Sequence, residues 1–382
     1  MRPAILILLS ALPIAGGQLT PERLRYPDRP GTFLKGLHQS AVTGAPYSWQ
    51  NQQDTSFEHW QKRARKRLRE LIGLNQMEKN LADFQPSVRM QPEKIVTQDG
   101  HSWHRAKGVL RPEPEVEIPF WMLTPVNNGI TQRPLAICAH GHDTDGWNTY
   151  AGVYRDNQHR DTTLAKDGDI AVQAVKQGYV CLVPATRGLA AAAAIPDLNG
   201  RHGNRACRAQ LIHSLLAGRT AIGERVWDVQ RLLDWALENL IQIDRSRILM
   251  TGNSGGGVLT AYTAALDERV TVAIPSCSFT AATSRTGYVF HCDCCVVPGL
   301  QSELGGFPEL GGLIAPRALL TVHGKKDGLH SHDDVQRAMA HVEQLFRAAG
   351  GESHFLFQWG EQGHQFYPER MWPFVTREFD ID

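Results

Sequence analysis

The sequence predicts an α/β protein built on a mostly parallel sheet, and three features predict it. Short, continuously apolar runs at 135–139, 179–183, 248–251, 270–274, 319–322 and 355–358 are of the kind that forms parallel strands buried on both faces. Helical patterns at 224–240, 255–266 and 333–349 lie between them, so the connections read as right-handed crossovers. Upstream, β-rich runs at 95–97, 107–110 and 118–123 are separated by Asp-Gly and Pro-rich turns, which places antiparallel strands at the N-terminal edge of the sheet.

Before these strands the chain is organised differently. Met1-Arg2, an apolar run at 4–15 and Gly16-Gly17 have the charge, length and small-residue exit of a secretory signal peptide, so residues 1–17 are read as that and the protein as secreted or periplasmic. The apolar run is too short to span a bilayer, and no association with membrane is expected after cleavage. Residues 18–93 form a polar extension holding one amphipathic helix at 57–74, in which Trp60, Leu68, Leu71 and Ile72 recur at helical spacing. Residues 94–382 are expected to be one catalytic domain. The chain carries 40 Lys and Arg against 39 Asp and Glu, a balance that argues against a nucleic-acid partner.

The chemistry sits at strand ends. The run 248–251 leads into Gly252-Asn253-Ser254-Gly255-Gly256 and then directly into a helical pattern. A strand, a Gly-x-Ser-x-Gly turn and a helix make a nucleophile elbow, whose tight turn lifts the serine hydroxyl above the sheet and leaves no room for Cβ atoms at Gly252 and Gly256. A serine hydroxyl is a weak nucleophile and needs a base, and the base needs an orienting acid. Asp327 follows the strand run 319–322 and His364 follows the run 355–358, so nucleophile, acid and base appear in the order Ser254, Asp327, His364. Asp333 and Asp334 are read as capping the next helix, and His323, His330 and His332 as surface or loop residues. For the oxyanion hole, the amide of Gly255 supplies one donor, and the His140-Gly141-His142 turn after the run 135–139 supplies the second through the His142 amide.

Trp147, Arg187 and Tyr288 are candidates for facing substrate. The long irregular stretch 186–223 is expected to cover the site, as loops of that length in compact domains usually do. Of seven cysteines, Cys138 and Cys181 lie in buried strand runs. The cluster His291-Cys292-Asp293-Cys294-Cys295 raises zinc, but structural zinc generally needs two separated ligand pairs and no second pair of suitable spacing is visible in the sequence. No metal or other cofactor is therefore expected. Export permits a disulfide among Cys207, Cys277, Cys292, Cys294 and Cys295, with Cys207 joined to Cys292 or Cys294 as the suggested pairing.

From about residue 94 onward the chain resembles the α/β-hydrolase superfamily, on the elbow, the His-Gly loop and the Asp and His turns taken together. Within that superfamily Leu216-Ala217-Gly218-Arg219-Thr220, Arg225-Val226-Trp227-Asp228, the run 264–270 and Ala315-Pro316-Arg317-Ala318-Leu319-Leu320 resemble secreted acetyl xylan esterases and dienelactone-hydrolase-like bacterial esterases. The resemblance implies hydrolysis of a carboxyl ester, in acetylated or otherwise esterified plant polysaccharide. Asp228 and Asp267 match the same pattern and are read as helix-cap and ion-pair residues. The chain departs from the related glucuronoyl esterases, whose elbow carries an arginine after the nucleophile where this sequence has Gly255. Two rivals are a prolyl-oligopeptidase-like peptidase, which usually carries a large N-terminal propeller, and a catalytically silent carbohydrate-binding relative.

Overall fold

The computed structural model describes residues 31–52, 54–126, 129–143, 145–193, 205–284 and 289–380. The segment read as a signal peptide, and Tyr288, lie outside the described residues. Three helices come first, α1 (Gly31–Thr43), α2 (Phe57–Leu71) and α3 (Leu74–Asn80). The strands β1 (Ser87–Met90), β2 (Lys94–Gln98), β3 (His101–Glu113) and β4 (Val116–Pro125) follow, then β5 (Arg133–Ala139), α4 (Gly146–Tyr150), α5 (Asn157–Leu164), α6 (Ile170–Lys176) and β6 (Val180–Pro184). Next are α7 (Ala206–Leu216), α8 (Ala221–Asn239), β7 (Ile243–Asn253), α9 (Gly255–Leu266) and β8 (Val272–Ser276). The chain closes with α10 (Glu309–Ile314), β9 (Ala318–Gly324), α11 (His332–Ala348), β10 (Phe355–Gly360) and α12 (Pro368–Phe379).

All ten strands join one sheet in the order β1-β3-β4-β6-β5-β7-β8-β9-β10, with β2 paired to β3 beside β1. From β6 to β10 every pairing is parallel, whereas β1 to β4 pair antiparallel and β4 meets β6 antiparallel. The apolar runs read from the sequence are these parallel strands. β5 is buried at every position because helices cover both faces. Its Leu135, Ile137 and Ala139 face the core under α8, α9, α10 and α11, and its Ala136 and Cys138 face the core under α4, α6 and α12. Successive side chains of a strand point to opposite faces, so one apolar run serves two cores.

The N-terminal helices belong to the first of these cores. Ser56 caps α2 by accepting from the His59 amide at 3.2 Å, and Trp60, Ala64, Leu68 and Ile72 are buried. Trp60 donates from Nε1 to the Tyr47 carbonyl at 2.8 Å and lies so close to Gly312 of α10 that a Cβ there would stand 2.7 Å from the indole. β1 lies within the stretch expected to be a helical extension, since its alternation is only four residues long. The stretch 186–223 is not irregular throughout either: it holds α7 and the first turn of α8.

The chain leaves β5 to build β6 on one side, then crosses to β7 on the other. Such a reversal of strand order opens a crevice beyond the carboxyl ends of the strands, where α/β proteins bind ligands. Ser254 and the His140–His142 turn both lie there.

Candidate active site

Ser254 follows β7 directly and has φ 58° and ψ −124°, a left-handed backbone that a non-glycine residue adopts only under strain. Its amide donates to the Ser276 carbonyl at 3.0 Å, which fixes the turn against β8. The flanking glycines are required by contact with β5. A Cβ on Gly256 would stand 1.9 Å from the Ala139 carbonyl oxygen, and one on Gly252 would stand 2.4 Å from the same atom. Behind the turn, α9 is buried along its whole length, which holds its N-terminus and the Gly255 amide in place at the serine.

His364 places Nδ1 2.7 Å from Oδ2 of Asp327, while Oδ1 of Asp327 accepts the Leu329 amide at 2.9 Å. The carboxylate is thus held by both oxygens, and the imidazole is oriented by one of them. Nε2 of His364 is buried and has no hydrogen-bond partner among the described residues. Ser276 links this pair to the elbow: its carbonyl accepts from Ser254, and its hydroxyl donates to the carbonyl of Gln365, next to His364, at 3.0 Å. Burial pushes the Asp327 carboxyl up, but the hydrogen bond from His364 and the nearby His330 imidazole outweigh it and hold the group well below the usual carboxylate range.

The competing residues have other places. Asp333 and Asp334 lie in the first turn of α11, where the cap is Ser331, accepting from the Asp334 amide at 3.4 Å. His323 and His330 are not surface residues. His323 is on β9, buried, with Nε2 3.0 Å from the Phe279 carbonyl, and His330 is buried with Nδ1 3.8 Å from Oδ2 of Asp327. Parallel-strand burial, which makes β9 apolar elsewhere, encloses His323 too. His332 packs against Trp359 in a tilted pair, ring centroids 4.6 Å apart.

The turn carrying the His142 amide, the expected second oxyanion donor, is held by His140. Its Nδ1 is 2.8 Å from the Gly141 carbonyl and its Nε2 accepts the Thr186 amide at 2.8 Å, so the ring is neutral with its proton on Nδ1. Burial lowers the His140 pKa to about 4, consistent with that state. Carbonyl and N–H point opposite ways in a trans peptide, so holding the Gly141 oxygen also fixes the direction of the His142 N–H. Gly141 itself lies on the elbow: a Cβ there would be 3.0 Å from the Gly255 nitrogen and 3.2 Å from Ser254 Cβ. The His142 ring covers Gly255, with Nδ1 2.9 Å from the position of a Cβ on that glycine.

Of the residues proposed to face substrate, Trp147 and Arg187 are engaged elsewhere. Trp147 is 5% exposed and stacks on Trp121 at 5.8 Å, with Lys107 over its ring. Arg187 forms a two-pronged pair with Asp228 and a further contact to Glu113 at 2.5 Å. Asp228 is an ion-pair residue within α8 rather than a helix cap, whereas Asp267 does lie at the C-terminal end of α9 and pairs with Arg269. All seven cysteines are free thiols, so the expected disulfide is not formed. Cys207, Cys292 and Cys294 instead converge with His142, their ligand atoms all within 4.8 Å of one another.

Several solved structures share this architecture. A methylesterase, BT1017, superposes with a TM-score of 0.63 at 21% identity over 94% of this chain and 70% of that one. A Bacteroides fragilis NCTC 9343 protein assigned as an acetyl xylan esterase gives 0.61 at 18% identity, over 88% and 82%. A glucuronoyl esterase from Solibacter usitatus gives 0.59 at 14% identity, over 78% and 86%. The chain has the α/β-hydrolase fold. Within this fold, residues 165–291 match the family model described as acetyl xylan esterase, a stretch that includes the elbow but ends before Asp327 and His364. A Bacillus subtilis (strain 168) protein named as a hydrolase, YtaP, is 27% identical over 158 residues, which are 39% of this chain and half the length of that protein.

Proposed function

We propose that this α/β-hydrolase is a serine-type carboxylic ester hydrolase acting on esterified carbohydrate outside the cytoplasm, through an acyl-enzyme on Ser254. The observation that carries the reading is a strained serine at the elbow after β7 and a carboxylate-oriented histidine after β10 of the same sheet, joined through Ser276. His364 takes the Ser254 proton as the hydroxyl oxygen attacks the ester carbonyl, and the Gly255 and His142 amides stabilise the oxyanion. His364 then protonates the leaving alcohol, and water activated by the same base releases the acid. The family model and the esterases of like fold support an ester on a sugar as substrate, and the N-terminal sequence supports export.

The residue after the nucleophile favours a neutral acyl ester over a uronic ester. Gly255 presents no side chain, and the space above it holds the His142 ring where an arginine would have to pass. A fluorophosphonate adduct on Ser254 of the folded protein tests the enzyme class, and its absence would favour the silent carbohydrate-binding reading. A panel of acetylated xylan, a uronic methyl ester, a feruloyl ester and short aryl esters tests the substrate. Fastest turnover of the uronic ester would overturn the neutral-ester reading, and cleavage of a peptide bond in place of all four esters would favour the peptidase.

A further inference from the structure

We propose that His142, Cys207, Cys292 and Cys294 form a structural zinc site that fastens the loop after β5 to α7 and to the turn 292–295. The four donors come from three segments that no sequence window joins: His142 follows β5, Cys207 lies in the first turn of α7, and Cys292 and Cys294 flank Asp293. Their ligand atoms lie within 4.8 Å of one another, and Nε2 of His142 is 3.2 Å from Sγ of Cys294. In a tetrahedral site with Zn–S near 2.3 Å and Zn–N near 2.0 Å, ligand atoms stand roughly 3.5–3.8 Å apart, so small side-chain movements would complete the geometry. Three sulfurs and one imidazole are a donor set zinc selects over magnesium or calcium, which prefer oxygen.

The surroundings suit thiolates. Arg225 is fully buried, and its Nη1 and Nη2 each lie 3.3 Å from Sγ of Cys294. A dication bound by three thiolates carries a net charge of −1, and Arg225 balances it. Asp293 shapes the turn between two ligands, since its Oδ1 accepts from the Cys294 amide at 2.9 Å. Outer partners of this kind hold metal ligands in place. Zinc binding would displace the protons of the three thiols, so affinity falls as pH is lowered.

The pair that sequence spacing lacks is therefore supplied by the fold: His142 and Cys207 complete the Cys292 and Cys294 pair. The site also bears on catalysis. The imidazole that would bind metal through Nε2 turns its other edge onto Gly255, and its own backbone N–H is the second proposed oxyanion donor. Metal would thus fix the loop carrying that donor. Binding of zinc does not depend on the ester-hydrolase reading.

Elemental analysis of the full chain, purified without chelator and again after equilibration with zinc, is expected to find about one zinc per molecule. Cys207→Ser and Cys292→Ser should reduce zinc to trace amounts. Cys295→Ser should retain it, because Cys295 lies 4.0 Å from Cys294 but outside the ligand set. Cobalt substitution should give thiolate-to-metal charge-transfer bands and tetrahedral visible bands. Zinc, but not magnesium, should raise the melting temperature of the chelator-treated protein, which reports binding even if a serine variant fails to fold. Denatured in chelator without reductant, the chain should titrate all seven of its thiols. Five reactive thiols, seven less the two of one bridge, would mean a disulfide and overturn the proposal, as would metal-free protein after equilibration with zinc.

Discussion

Oδ2 of Asp327 accepts from Nδ1 of His364 at 2.7 Å while its other oxygen is held by a backbone amide. The carboxylate cannot turn without losing one of these bonds, so the imidazole is fixed with Nε2 as its free edge. Asp327→Asn would place an amide N–H against Nδ1–H or reverse the tautomer, and kcat on an aryl acetate should fall by roughly 10³–10⁴. Ser254→Ala should abolish turnover and leave the melting temperature nearly unchanged. Activity in the alanine variant equal to that of the native chain would remove Ser254 from the mechanism.

Gly255 tests the oxyanion loop. Its backbone is ordinary helix, so alanine there costs little in conformation, but the new Cβ would lie 2.9 Å from Nδ1 of His142 and must displace the ring. Removal of one oxyanion donor typically costs about 10²–10³ in kcat. Gly255→Ala should therefore lower kcat tenfold or more by disturbing the loop, with unfolding in urea little altered. A variant as fast as the native chain would show that His142 can move without consequence.

The parallel strands and the elbow were legible because their causes are local: burial on both faces makes a strand continuously apolar, and close approach to β5 demands glycine at 252 and 256. The partnerships of charged and sulfur side chains were not legible, because they are set by contact between distant segments. Arg187 reads in sequence as a candidate for facing substrate, and only the fold brings Glu113 and Asp228 to it. Likewise 65 residues separate His142 from Cys207 and 85 separate Cys207 from Cys292, so no spacing rule reaches the cluster. His323 misled for the opposite reason: a polar residue near a turn reads as a surface or loop residue, whereas β9 remains buried through that position.

Two buried histidines should make the protein sensitive to acid. Burial lowers His140 from 6.5 to about 4 and His323 from 6.5 to about 3. Because the folded pKa lies below the unfolded one, the fold favours the neutral ring. Stability is complete above about pH 6.5 and is lost as pH falls toward the folded values. At 1.36 kcal/mol per unit, each histidine should cost about 2 kcal/mol at pH 5. Asp327, with its pKa depressed, acts in the same direction but only below the ordinary carboxylate pKa. Urea unfolding at pH 7 and pH 5 measures the loss, and His323→Gln should remove about 2 kcal/mol of it. Equal stability at the two pH values would contradict the buried neutral state.

The Arg187 cluster separates a structural role from a substrate-binding one. Arg187 is enclosed by Glu113, Asp228 and Glu224, whose side chains are 6%, 5% and 11% exposed, and Arg219 is the other arginine contacting Glu113 and Glu224. These contacts tie the end of β3 and the loop after β6 to α8. Removing one partner from a buried network leaves uncompensated charge and typically costs about 3–5 kcal/mol. Arg187→Ala should therefore destabilise by that order, and Arg187→Lys should recover only part of it, because an ammonium cannot match the two-pronged geometry at Asp228. KM for short esters should stay within about twofold in any Arg187 variant that remains folded, since a network removed from substrate contributes no binding energy to it. A large rise in KM at unchanged stability would instead place Arg187 against the substrate.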